Sequence, residues 1–502
     1  MKLFDKDNLN GMFAHFMIPI SLFFVLMNFI TVAICFAGVS SKAQSFFSNR
    51  SSYEFPLIEI DPSEENDFST PVAWYNSSIY TVNVEPPDGI NNRINLKTVV
   101  RRGTIRADGT WTWEKNVIEN RTLDDRYHTQ PSIAVDKNGY IHIVYNMHNM
   151  PWQYKVSKRP DDISEFEFKG EALSTEQLKE VKIENKTNFP YIETAAIPGT
   201  QITYPAFFKD RNNELYITYR FATRPKQSWE NRGFAGGIAK YDAVKKKWEA
   251  IGGSIKINSS DALYPDSVTD KSYTVSPFAY YDKWSVYLIR LHFDKNNAMH
   301  VSWTWREEGA GSDCSDPSYA YVEKANSIFK KANGVKYGLP ITVGAADIIS
   351  KGMGIDKFYA PTSISSDKLG QPYIVANSIG SSRILVYYDS VKNKWSKPEK
   401  TPGGATEIYI DDSGKQWAFA SGINVFSRDN NDSKWDHVLS KEGYGWPKII
   451  YMKELKGFFV HALSKDCKKC KLTWIKAGDV DKIDKVGNDL ITPPRNIRVY
   501  SK

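Results

Sequence analysis

The feature that most constrains this chain is a hairpin that it repeats. An apolar strand runs into a turn of Asp, Asn, Gly and Lys, and a strand of alternating aromatic and β-branched residues returns. Clear copies are IAVDKNGYIHIVY from Ile133 to Tyr145, FFKDRNNELYITY from Phe207 to Tyr219 and LHFDKNNAMHVSW from Leu291 to Trp303. Weaker copies begin at Ile364 (ISSDKLGQPYIV) and Ile410 (IDDSGKQWAF). The turn residues supply the positive φ that a tight hairpin needs, and the period-2 alternation fits half-buried strands. A second element ends in Trp: YDAVKKKW to Trp248, YDSVKNKW to Trp395 and ADGTW to Trp111. In each, a polar turn sends the chain back and an aromatic opens the next strand. Long amphipathic helices are nearly absent, and only Ser174–Val181 and Tyr321–Ala332 have helical spacing. Hairpin copies roughly 45–85 residues apart, with insertions between them, predict an all-β chain folded as a β-propeller, with the number of blades left open by the spacing. A sandwich or a parallel β-helix explains the paired elements less well. Because a propeller closes its first blade on its last, residues 44–502 are expected to form one domain.

Composition supports a large packed core. The aromatic share is 14%, with 14 Trp, 28 Tyr and 26 Phe, which argues against disorder. Four Cys in 502 residues exclude a disulfide-built scaffold. The net charge of +7 is too small an excess to argue nucleic acid, yet it suits an anionic substrate.

The first 43 residues stand apart from the repeats. The stretch from Met12 to Val39 carries no formal charge and is long enough to span a bilayer. Ser41-Lys42-Ala43 places small residues before a cleavage at Gln44. Export is expected, by a cleaved signal in preference to a retained anchor. The chain would then be secreted or periplasmic, or else anchored and facing outward. Contact with a membrane would come only through this segment. Sequons at Asn49, Asn76, Asn120, Asn185, Asn258 and Asn431 matter only in a glycosylating eukaryote.

Candidate chemistry begins at two histidines. His128 precedes the first strand of the first clear hairpin and His148 follows its second, so an out-and-back path returns both to one end of the sheet. His142, inside the second strand, reads as structural. The next hairpin repeats the geometry, with Tyr204 where it opens and Arg220 where it closes. Tyr beside Arg is more often edge packing than catalysis, so this pair means little alone.

Together, His128 and His148 around VDKNGYIHIVYNMHN, with Tyr204 and Arg220 around TYPAFFKDRNNELYITYR, resemble the propeller-fold ulvan lyases within the bacterial-neuraminidase-repeat proteins. The resemblance is sharp in these two segments and loose over roughly residues 50–500. It implies a seven-bladed propeller that cleaves an acidic, sulfated algal polysaccharide by β-elimination at a uronate. Elimination needs a base for the C5 proton, an acid for the leaving O4 and neutralisation of the carboxylate. Arg220 suits the last task, since a guanidinium forks onto a carboxylate and stays charged. Tyr204 is expected as acid or acid/base, with His128 and His148 as base and proton-handling partners. Which residue takes which proton is left open, as are the uronate preferred and endo or exo action.

Tyr264 in DALYP is the candidate for a further tyrosine at the site. Arg306 could meet a sulfate or carboxylate, with a core-edge role the plainer reading. Asn149 and Gln130 could orient the histidines or touch sugar hydroxyls. Trp152 and Trp229 are candidates for sugar stacking or for packing between blades. Cys467-Lys-Lys-Cys470 is a lone C-x-x-C, open to a small-loop disulfide or a structural metal, and Cys314 stands apart. No cofactor is expected in catalysis and no metal ligands are assigned. A monomer is expected. Three alternatives stay open. A sialidase is disfavoured by the lack of an Arg-Ile-Pro motif and of a strict S-x-D-x-G-x-x-W repeat. A hydrolase could use Asp124 and Asp125 beside His128. A propeller could also bind glycan without turnover.

Overall fold

The computed structural model covers residues 1–502 and describes most of residues 43–477. Outside the description lie 1–42, 60–68, 86–95, 121–129, 171–196, 224–232, 258–272, 308–314, 325–327, 350–357, 379–382, 430–433, 465–468 and 478–502, with residues 57, 107, 198 and 200.

The aspartate that heads each repeated turn builds it in the same way five times. One carboxylate oxygen accepts the N–H groups two and four residues on. Asp136 takes those of Asn138 and Tyr140, both at 2.9 Å, and Asp210 those of Asn212 and Glu214 at 2.8 and 2.9 Å. Asp294, Asp367 and Asp411 repeat the pattern at 2.8–3.1 Å. The third residue after each Asp has positive φ: Gly139 (88°), Asn213 (60°), Asn297 (63°), Gly370 (79°) and Gly414 (93°). Gly and Asn enter that region at the least steric cost. The sixth residue can reach back to the other carboxylate oxygen, as the Trp417 indole N–H does to Asp411 at 3.0 Å. His142 stands 3.4 Å from Asp136 in that position and 2.6 Å from the Tyr154 hydroxyl, which confirms it as structural. His300 repeats the arrangement with Tyr319. The Trp-return turns are capped alike, Asp242 accepting from Val244 and Lys245, and Asp389 from Val391 and Lys392.

These hairpins assemble as antiparallel sheets following one another along the chain. Blade 1 runs from Val72 to Glu119, blade 2 from Ser132 to Phe168, blade 5 from Phe358 to Lys400 and blade 6 from Glu407 to Leu439. Blade 7 joins Tyr444–Met452, Gly457–Ser464 and Lys469–Lys476 to the N-terminal strand Ser52–Glu54, so the two ends of the chain close one sheet. A nine-stranded sheet divides at its one parallel contact, Phe234 with Ser285. On one side is blade 3 (Ile202 to Ala250), and on the other blade 4 (Trp284 to Ile348). Apart from the two-stranded ribbon of Ile255–Ile257 and Tyr273–Val275, the described strands thus fall into seven units. The first strand of each lines one shared central cavity of ≈ 720 Å³. The chain is an all-β propeller.

Aromatic packing fills the spaces between blades. Trp248 on blade 3 donates to the Tyr154 hydroxyl of blade 2 at 3.3 Å, and Trp395 on blade 5 donates to Asp347 at 3.2 Å. The expected helix Tyr321–Ala332 is not formed. Tyr321 and Val322 instead continue a blade 4 strand opposite His300 and Met299, because strand pairing overrides their helical spacing. Ser174–Val181 lies outside the described residues. A short helix over 43–48 was not anticipated. Its Phe47 is fully buried among Trp74, Trp111, Phe459 and Trp474, and Ala43 is buried with it. Among the described residues, the packed core therefore includes Ala43, the last residue of the segment read as a signal or anchor.

Candidate active site

The first strand of blade 3, Ile202–Lys209, opens with a bulge. Thr203 pairs with Arg220 and Ala206 with Thr218, so one extra residue sits on the inner strand. Pro205 suits the irregularity because it has no N–H to leave unpaired. Its carbonyl accepts the Ser132 hydroxyl at 2.8 Å. Tyr204 takes φ 56°, a conformation that costs a bulky residue about 1–3 kcal/mol. The bulge sets the aim of the ring. The Arg220 guanidinium lies 4.5 Å from its centre, and the His148 ring is 6.0 Å away, tilted only 21°.

His148 reaches this place by changing blades. The second strand of blade 2 ends at Val144, and the chain turns through Asn146 (φ 54°) and Asn149 (φ 56°). The short strand His148–Met150 then pairs with blade 3, His148 opposite Thr203. Asn149 fastens the crossing: its N–H donates to the Thr203 hydroxyl at 3.0 Å, and that hydroxyl donates to the Asn149 side-chain oxygen at 3.0 Å. His148, Tyr204 and Arg220, singled out in the sequence, are thus together.

Arg220 is 4% exposed and enclosed by aromatic faces. Its guanidinium carbon lies 4.5 Å from the Tyr204 ring centre, 4.2 Å from Phe234 and 3.8 Å from Tyr287. Its Nε and Nη1 are buried with no hydrogen-bond partner among the described residues. Arg306 belongs to the same cluster, with its guanidinium carbon 4.8 Å from the Tyr287 ring centre.

Tyr287 is the residue that sequence reasoning missed. It lies within 5 Å of two guanidinium groups, at 3.8 and 4.8 Å, and 6.2 Å from Tyr204, at a bulge where Leu288 has φ 49°. The repeat held a signal: aligning Asp210 with Asp294 sets Tyr287 against Thr203, one position before Tyr204.

The other candidates divide. His128, Tyr264, Trp229, Asp124, Asp125, Cys314 and Cys467 lie outside the described residues. Gln130 is buried at the entrance to blade 2. Trp152 cannot stack on a sugar: it is fully buried, with its ring edge-on to Tyr219 at 5.1 Å. Cys470 is buried with its sulfur 2.6 Å from His461 Nε2. Burial pushes the His461 imidazole down to about 3. Among the described residues no three His, Cys, Asp or Glu side chains gather to hold a metal ion.

Residues 72–401 match the model of a BNR repeat-containing family member. An ulvan lyase from Nonlabens ulvanivorans is 20% identical over 482 residues, spanning 86% of this chain and 89% of its own. Among solved structures, polysaccharide lyase Uly1 superposes with a TM-score of 0.56 at 12% identity, over 86% of this chain and 99% of its own. A PL25 ulvan lyase bound to -[GlcA(1-4)Rha3S]- gives 0.52 at 15% identity, over 83% and 95%. At these identities the structural likeness establishes the fold.

Proposed function

The chain belongs to the BNR repeat-containing family, and from that premise we propose that it is a polysaccharide lyase that cleaves a sulfated, uronate-containing polymer of the ulvan type. The observation that carries this reading is Arg220, a buried cation with two nitrogens that no described residue answers. Such a charge is costly to keep in a dry aromatic setting. A uronate carboxylate brought against this guanidinium between Tyr204 and Tyr287 would answer its charge. The ulvan-bound relative and the chain's small positive charge support an acidic glycan in this place.

The chemistry follows from the positions. With the carboxylate neutralised by Arg220, the C5 proton becomes more acidic and the enolate-like charge that develops is held. A base removes that proton, the C4–O4 bond breaks, a double bond forms between C4 and C5, and O4 leaves with a proton. Tyr204, whose ring lies against Arg220, is the group assigned to the proton on O4, and it would share in abstraction. His148, lying nearly parallel to that ring, is the proton-handling partner, and His128 is assigned beside it. Arg306 and Tyr287 complete the anionic subsite. No cofactor enters any step. We further propose export of the protein, on the strength of the uncharged run before Gln44.

Replacing Tyr204 with Phe tests the assignment. It removes one hydroxyl and keeps the ring against Arg220. Turnover of ulvan should fall about 10²–10⁴-fold, the usual worth of a positioned acid or base, with the thermal midpoint unchanged. Full activity in this variant overturns the role given to Tyr204.

A further inference from the structure

The central cavity holds a charge that the fold does not explain. At the position just before the turn aspartate, the repeats carry Val135, Phe293, Ser366 and Ile410; blade 3 carries Lys209. Three of those four are apolar and buried, so a lysine breaks the pattern of the repeat. Lys209 lies at the opposite end of its strand from Tyr204, about 17 Å away at strand rise. It lines the cavity together with Arg211. None of His148, Tyr204, Arg220 or Arg306 lines that cavity.

The lysine has no hydrogen bond or ion pair to its ammonium group among the described residues. Three of the four acids that line the cavity with it are engaged elsewhere. Asp136 and Asp210 hold their own turns, and Glu407 pairs with Lys448 at 3.0 Å. Glu454, exposed at the rim, and Asp136 act on Lys209 only through space, and His142 feels its charge in turn. Arg211 binds Asp412 through one Nη at 3.0 Å, and its buried Nε has no partner among the described residues. Close by, Tyr409 and Tyr451 stack at 4.4 Å and present a flat wall. Burial lowers the Lys209 amine to about 8.

We infer that the turn-side end of the central cavity is a second binding site, separate from the candidate active site, that takes a small oxyanion between Lys209 and Arg211. A cation unanswered by the lining acids calls for an anion, and the cavity volume falls within the range of small-molecule sites. A sulfated monosaccharide and free inorganic sulfate share the required chemistry. The inference does not depend on the lyase reading.

Calorimetric titration of the exported part of the chain, residues 44–502, with inorganic sulfate and separately with glucose 6-sulfate tests it. Saturable binding is expected, weakened at least tenfold by Lys209→Met and unchanged by Tyr204→Phe. Tighter binding of the sugar sulfate identifies a sugar as occupant, and equal binding identifies the oxyanion alone. Absence of saturable binding, or equal affinity in Lys209→Met, overturns the site. Amine acylation read by mass spectrometry on the unmutated protein gives an answer that needs no variant. Saturating sulfate should slow labelling of Lys209 several-fold, and an unchanged rate contradicts the proposal.

Discussion

Arg220 keeps a positive charge where proteins seldom leave one unanswered, and that tension yields a prediction about stability as well as activity. Two of its nitrogens are buried without partners among the described residues, while three aromatic faces hold the guanidinium in place. Arg220→Met keeps much of the volume and removes the charge. The loss in kcat/KM should be about 10²–10⁴-fold, as for removal of other donors aimed at developing charge. The thermal midpoint should stay level or rise, because a charge awaiting a ligand destabilises the empty site. A midpoint lower by several degrees would make Arg220 a structural residue. Tyr204 shows the same preference for function over comfort, held at φ 56° by its bulge.

At the scale of single elements, the turns were legible and the site geometry only in part. Asp, then Gly or Asn three residues later, is a local instruction, and five turns carry it out through the same two backbone N–H groups. Asp367→Ala should therefore cost about 1–3 kcal/mol by leaving two donors unanswered. Gly370→Ala should destabilise too, since φ is 79° and the new Cβ would come within 3.0 Å of the Asp294 carboxylate. Urea unfolding of both variants, with Asn213→Gly as a near-neutral control at a positive φ of 60°, measures these costs. Tyr204 and Arg220 could be paired from the sequence because one hairpin joins them. The crossing of His148 onto blade 3 could not, because it depends on Thr203 and Asn149 meeting across 54 residues. Tyr287 was missed for a similar reason: its partners are guanidinium groups on other strands. Trp152 misled in the opposite direction, since a Trp beside a candidate histidine reads the same whether it faces a sugar or the core.

For the whole molecule, closure and buried histidines set the response to acid. Ser52–Glu54 completes blade 7, so the first described strand of the chain seals the sheet built from the last. Burial holds His142 low and takes His292 and His461 down to about 3. In the unfolded chain these imidazoles titrate near about 6.5. For His292 and His461 the unfolded state therefore binds protons between about 6.5 and 3 that the folded state refuses. Their contribution to stability is fully present above 6.5 and is lost as pH falls through that window, by up to about 1.4 kcal/mol per pH unit for each histidine. The melting midpoint should drop steadily over this range, and His292→Gln should make the slope shallower; an unchanged slope would show that His292 does not carry it. The central claim concerns what happens to the glycan. The most direct measurement is ultraviolet absorbance of the conjugated double bond while residues 44–502 act on ulvan, with alginate, pectate and heparin alongside. A rise on ulvan, absent in Arg220→Met, is the predicted result. Reducing ends appearing without that absorbance would mean hydrolysis and would contradict the account, as would binding of ulvan with no cleavage at all.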